Sequence, residues 1–111
     1  MSPRLDPERI AADVIAAGEE LCDREAAARH LEEAKASVRA ELACKWMEEG
    51  DSATKADTKA LASSAYRDHL VAMVEARRKA NLARVIYDGA RLRAEMIRTK
   101  EATLRSEMNL R

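Results

Sequence analysis

Phenylalanine is absent from this chain, and only two tyrosines, one tryptophan, three glycines, two prolines and two cysteines occur among its 111 residues. So few aromatic side chains cannot line a deep ligand pocket, which usually needs such walls. So few turn-forming residues, together with 36% charged side chains, leave little for sheets or structured loops and point to one all-α domain. Cys22 and Cys44 fall on one expected helix, roughly 33 Å apart at 1.5 Å per residue, so they cannot bridge each other within it. Reduced thiols of a cytoplasmic protein are the natural reading. Met1-Ser2-Pro3-Arg4-Leu5-Asp6-Pro7 has no apolar signal core, and no run approaches a membrane span.

Catalytic patterns are missing as well. There is no phosphate-cradling glycine loop, no paired-carboxylate motif and no nucleophile elbow. Cys44 has neither a base nor oxyanion glycines beside it. His30, Cys22 and Glu33 do not share a helix face at one level, so they make no metal site, and His69 reads as a seam or rim histidine. The expectation is a non-enzymatic protein without metal or cofactor.

Long, regular helices are what the sequence does contain. Asp6-Pro7-Glu8 combines a capping carboxylate, a proline suited to the first helical position and an acid near the positive end of the dipole. A helix over about 7–49 follows, stopped by Gly50. After a polar turn at 50–54, in which Thr54 and Asp57 resemble a capping box, a second helix is expected to run unbroken over about 55–108. So short a connection makes the two helices antiparallel neighbours in a coiled-coil hairpin. If the turn centres near residue 52, Leu21 meets Ala83, Leu31 meets Met73 and Val38 meets Tyr66. Trp46 is expected to plug the turn end.

The second helix carries alternating four- and three-residue spacing from Ala62 through Tyr66, His69, Met73, Ala76 and Ala80 to Ile97, Glu101, Leu104 and Met108. That spacing is a coiled-coil seam, and its alanines let a partner backbone approach closely. Val71, Val74, Leu82, Val85, Leu92 and Met96 lie on the roughly opposite side of the same helix. One partner helix cannot cover both faces, and an uncovered apolar stripe usually marks a partner surface. A homodimer forming a four-helix bundle is therefore expected, with a different protein partner as the alternative. Residues beyond about 97 project past the first helix by the same register, so Leu104 and Met108 join the expected oligomer interface.

Charge is divided between the halves. Residues 1–54 carry 7 Lys/Arg and 13 Asp/Glu, whereas residues 55–111 carry 13 and 7. Arg77, Arg84, Arg91, Arg98 and Arg105 recur every seven residues and form one stripe beside the seam, with Lys79, Arg93 and Lys100 on its opposite flank. Glu19, Glu20, Asp23, Glu25 and Glu32 of the first helix are placed to neutralise the nearer arginines. All five arginines, with Lys100, are candidates to grip a carboxylate or phosphate of a partner, the distal ones being least neutralised. Two readings follow: an interaction protein presenting an Arg-rich helix end to a protein partner, or a nucleic-acid-binding accessory using Arg91, Arg98, Lys100 and Arg105. In a third, Glu19, Glu20, Asp23 and Glu25 mimic nucleic acid and inhibit a host nucleoprotein.

The stretch Ala90-Arg91-Leu92-Arg93-Ala94-Glu95-Met96-Ile97-Arg98-Thr99, followed by Ala102-Thr103-Leu104-Arg105-Ser106-Glu107-Met108, resembles the Arg-rich endings of small helical phage and prophage proteins found with single-strand annealing recombinase genes. The resemblance covers about 65–111 and implies a phage accessory factor near DNA recombination or replication, with no assigned activity. Trp46-Met47-Glu48-Glu49-Gly50 lacks the Trp-x-Gly turn of the small secreted hairpins that carry a tryptophan at the bend.

Overall fold

The computed structural model describes residues 6–110. They form three helices and no strand: α1 over Pro7–Glu48, α2 over Ala53–Ala62 and α3 over Ser64–Asn109. The start of α1 follows the expected chemistry. The Asp6 carboxylate accepts the Glu8 N–H at 3.0 Å, and the Asp6 carbonyl accepts the Ile10 N–H at 3.1 Å.

The end of α1 is a Schellman motif. Gly50 takes φ 104°, its N–H reaches the Met47 carbonyl at 3.0 Å, and the Asp51 N–H reaches the Trp46 carbonyl at 3.1 Å. Those two bonds satisfy carbonyls that a helix end leaves without partners, and the left-handed residue between them favours glycine.

Two local expectations are corrected here. The cap of the next helix is Ser52, whose hydroxyl accepts the Lys55 N–H at 3.2 Å, so α2 begins before Thr54. Thr54 lies inside the helix, and its carbonyl accepts the Thr58 hydroxyl at 3.0 Å. Asp57 is not a capping residue, because its carboxylate is held by Arg39. The expected unbroken helix over 55–108 is also two helices, divided at Ser63, which has φ −71° and ψ 151°. One serine serves both ends. Its N–H and hydroxyl both donate to the Ala60 carbonyl, at 3.2 and 2.7 Å, and the same hydroxyl oxygen accepts the Tyr66 N–H at 3.2 Å. A serine side chain offers the backbone these bonds in an extended conformation, and here that competes successfully with one more helical turn.

By its contacts the chain divides into two compact units, residues 24–80 and residues 6–23 with 81–110. In the first unit the helices run antiparallel: the His69 Nε2–H donates to the Leu31 carbonyl at 2.8 Å, one turn from the expected Met73. Ala28, Ala56, Ala60 and Ala80 have no exposed surface, and Tyr66 is buried too. Alanine at a helix crossing allows close approach but removes little apolar surface, since each methyl group contributes only about 0.8 kcal/mol. In the second unit Leu21 and Ala83 are buried. Gly18 faces the Tyr87 ring there, close enough that an added Cβ would stand 3.2 Å from Tyr87 Cε1. No large side chain among the described residues is fully buried. Trp46 is half-buried.

Candidate interaction surface

The arginine stripe divides by what each residue meets. Arg77 is occupied by two carboxylates of α1. Its Nε and Nη2 grip Glu32 at 3.0 and 2.6 Å, and Nη1 reaches both oxygens of Glu25 at 3.2 Å. These charge-assisted bonds push the guanidinium pKa up further, and the bonds from Arg77 hold Glu32 below the usual carboxylate range. Arg84 is likewise partnered.

Arg91 stands over the Tyr87 ring at 5.7 Å from its centroid, a cation–π distance. The Tyr87 ring lies on the space left by Gly18. Arg98, Lys100 and Arg105 are exposed, and none of them makes an ion pair among the described residues. Arg91, Arg98 and Glu101 share a cleft of about 530 Å³ with the apolar side chains of Ile10, Val14 and Ile97.

Sequence reasoning missed three further ion pairs near the turn. Arg39 grips Asp57 through Nε and Nη2 at 2.7 and 2.5 Å, and the hydrogen bonds hold Asp57 low and Arg39 high. Lys59 Nζ sits 2.6 Å from Asp51, with Lys55 at 3.7 Å, and the Lys59 bond lowers the Asp51 pKa. The acid–base sidedness of the two halves hinted at the Asp51–Lys59 pair, but Arg39–Asp57 runs against it.

The expected second face of α3 is open to solvent along its length. Val71 is 64% exposed, Val74 70%, Leu82 52%, Val85 68%, Leu92 57% and Met96 64%. Leu104 and Met108 are exposed too. Exposure of single apolar residues is ordinary, whereas a helical row of them is less so. Gly89 lies within it, and nothing stands within 4 Å of where its Cβ would be. The opposite side of the same helix carries the buried Ala80 and Ala83 and the half-buried Tyr87, Ala90, Ala94 and Ile97.

No group of three or more His, Cys, Asp or Glu among the described residues could hold a metal ion. Cys22 and Cys44 are both exposed free thiols, and His30 is exposed. No helix among the described residues is long and apolar enough to cross a membrane. Comparison with protein-family models, with curated proteins and with solved structures returns no match to this chain.

Proposed function

We propose that this is a non-enzymatic interaction protein, which self-associates through the open face of α3 and offers the basic end of that helix to an acidic partner. The observation that carries the reading is the exposed row Leu82, Val85, Leu92 and Met96, opposite a seam that already has its own partner helix. A chain whose buried core is mostly alanine gains most from covering that row, because each Leu, Val or Met side chain moved from water contributes about 1.5–3 kcal/mol at full burial. The homodimer places four long helices together. Arg98, Lys100 and Arg105 remain outward, without ion pairs among the described residues.

A second reading rests on those same three cations. In it they contact successive phosphates, and the protein acts as a nucleic-acid-binding accessory of recombination or replication, in keeping with the phage-type resemblance of residues 65–111. Fluorescence anisotropy with labelled single- and double-stranded DNA from 50 to 300 mM salt separates the two, because phosphate contacts lose affinity steeply with salt and apolar docking does not. Salt-sensitive binding that falls in Arg98→Ala/Arg105→Ala supports the accessory reading. Self-association without DNA binding at low salt supports the adaptor reading.

A further inference from the structure

The open face of α3 has a register of its own, distinct from the seam that meets α1. Leu82, Val85, Gly89, Leu92, Met96 and Thr99 alternate in steps of three and four and are all exposed. With Leu82, Gly89 and Met96 at the first core position of the heptad and Val85, Leu92 and Thr99 at the second, the two flanks can be read off directly. The flank before the first core position carries Asp88 and Glu95. The flank after the second carries Lys79, Arg93 and Lys100. One edge of the stripe is therefore acidic and the other basic. Asp88, Arg93, Glu95 and Lys100 are all exposed, and none makes an ion pair among the described residues.

Flank charges set partner choice and orientation in paired helices. When two copies of one helix run antiparallel, like flanks meet, the acidic edge along the acidic edge and the basic along the basic, so no acid faces a base. When they run parallel and in register, each acidic flank meets the basic flank of the other copy, five residues further along. Asp88 then faces Arg93 of the second copy, and Glu95 faces its Lys100, each pair occurring twice by symmetry. No like-charge pair arises between residues 79 and 100. The face is thus self-complementary in one orientation and self-repelling in the other.

We infer that the occupant of this face is a second copy of the same chain, with α3 packed parallel and in register against its mate over residues 82–100. The inference rests on the self-association proposed above and adds its orientation and its ion pairs. The shallow groove at Gly89, bordered by Leu92, Arg93 and Lys100 and about 380 Å³ in volume, is the part of the surface the mate covers. The two copies of α1 then lie on the outer sides of the α3 pair.

Charge reversal tests the orientation. In sedimentation equilibrium at low salt, Asp88→Arg and Arg93→Asp each turn two attractions into repulsions and weaken dimerisation by roughly tenfold or more. The double variant Asp88→Arg/Arg93→Asp restores the affinity of the parent. In a chain with Cys22→Ser and Cys44→Ser, Leu92→Cys forms a disulfide-linked dimer under mild oxidation, since an in-register parallel pair brings the residue against itself. Circular dichroism confirms that each variant stays helical. A dimer in which the double variant is no tighter than the single ones, or in which Leu92→Cys fails to cross-link, overturns the parallel arrangement and leaves self-association standing. A parent chain that is monomeric at every concentration overturns both.

Discussion

The unit around the turn, residues 24–80, and the unit that carries both ends of the chain, residues 6–23 with 81–110, meet the same packing problem with different side chains. Around the turn, four alanines without exposed surface and a buried tyrosine form the core. Arg39–Asp57 and the Arg77–Glu25–Glu32 cluster tie the helices along its edge. In the other unit Leu21 and Ala83 are buried, while Ile15, Leu82, Val85, Ile86, Leu92 and Met96 stay more than half exposed. The unit around the turn pairs these charges internally and leaves Val71 and Val74 of the α3 stripe exposed. The other holds comparable groups in reserve, on a face its own chain leaves uncovered.

The contrast breaks most visibly at Tyr66. Removing its ring by Tyr66→Ala costs roughly 3–5 kcal/mol of stability, the range for losing a buried aromatic side chain. Urea unfolding reads the loss. Val85→Ala, on the open face, changes the stability of the monomer by less than about 0.5 kcal/mol yet weakens self-association. Equal losses at both positions would erase the distinction between the units.

Ser63 gives a smaller effect. Ser63→Ala removes the hydroxyl that bonds Ala60 and Tyr66, and the loss of such a cap costs about 1 kcal/mol. Hydrogen exchange should quicken at the Tyr66 amide. A gain in stability instead would mean that α2 and α3 fuse once the serine is gone.

The two glycines, one facing a ring and one open, sharpen the comparison in the opposite direction. Gly89→Ala enters open space and stabilises the helix by about 1 kcal/mol in thermal unfolding of the monomer. Gly18→Ala gains less or loses, because its methyl group meets the Tyr87 ring. Smallest at neutral pH is the contribution of the half-buried, solvent-screened ion pairs. It emerges in acid. Glu32, Asp51 and Asp57 have folded pKa values below their ordinary ones, so their stabilisation is present above roughly pH 4 and is lost as pH falls through the depressed values. Arg77→Gln flattens that acid loss, which a melting series from pH 2 to 7 measures.

Much of this was legible beforehand where one residue type has one physical use. Asp6-Pro7 starts α1 and Gly50 ends it because few other residues satisfy those backbone positions. The open stripe followed from apolar residues on two sides of one helix. Ser63 was not legible, since serine inside a long periodic run reads as a tolerated helical residue until its neighbours' bonds are known. Thr54 and Asp57 had capping spacing, but Ser52 lies closer to the turn and Arg39 claims the carboxylate. Gly18 gave no signal in the sequence, because what it makes room for lies on the other helix. Of the arginine stripe, periodicity gave the positions alone. Which arginines are engaged depends on where the acids of α1 fall opposite them, so Arg77 meets Glu25 and Glu32 while Arg98 and Arg105 meet no acid among the described residues.

Sedimentation velocity across a hundredfold range of protein concentration, comparing the parent with Leu82→Glu/Leu92→Glu, tests the central claim most directly. A concentration-dependent dimer that becomes a helical monomer in the double variant is the predicted result. A parent that sediments as a monomer throughout, or a variant that dimerises as tightly as the parent, contradicts the account.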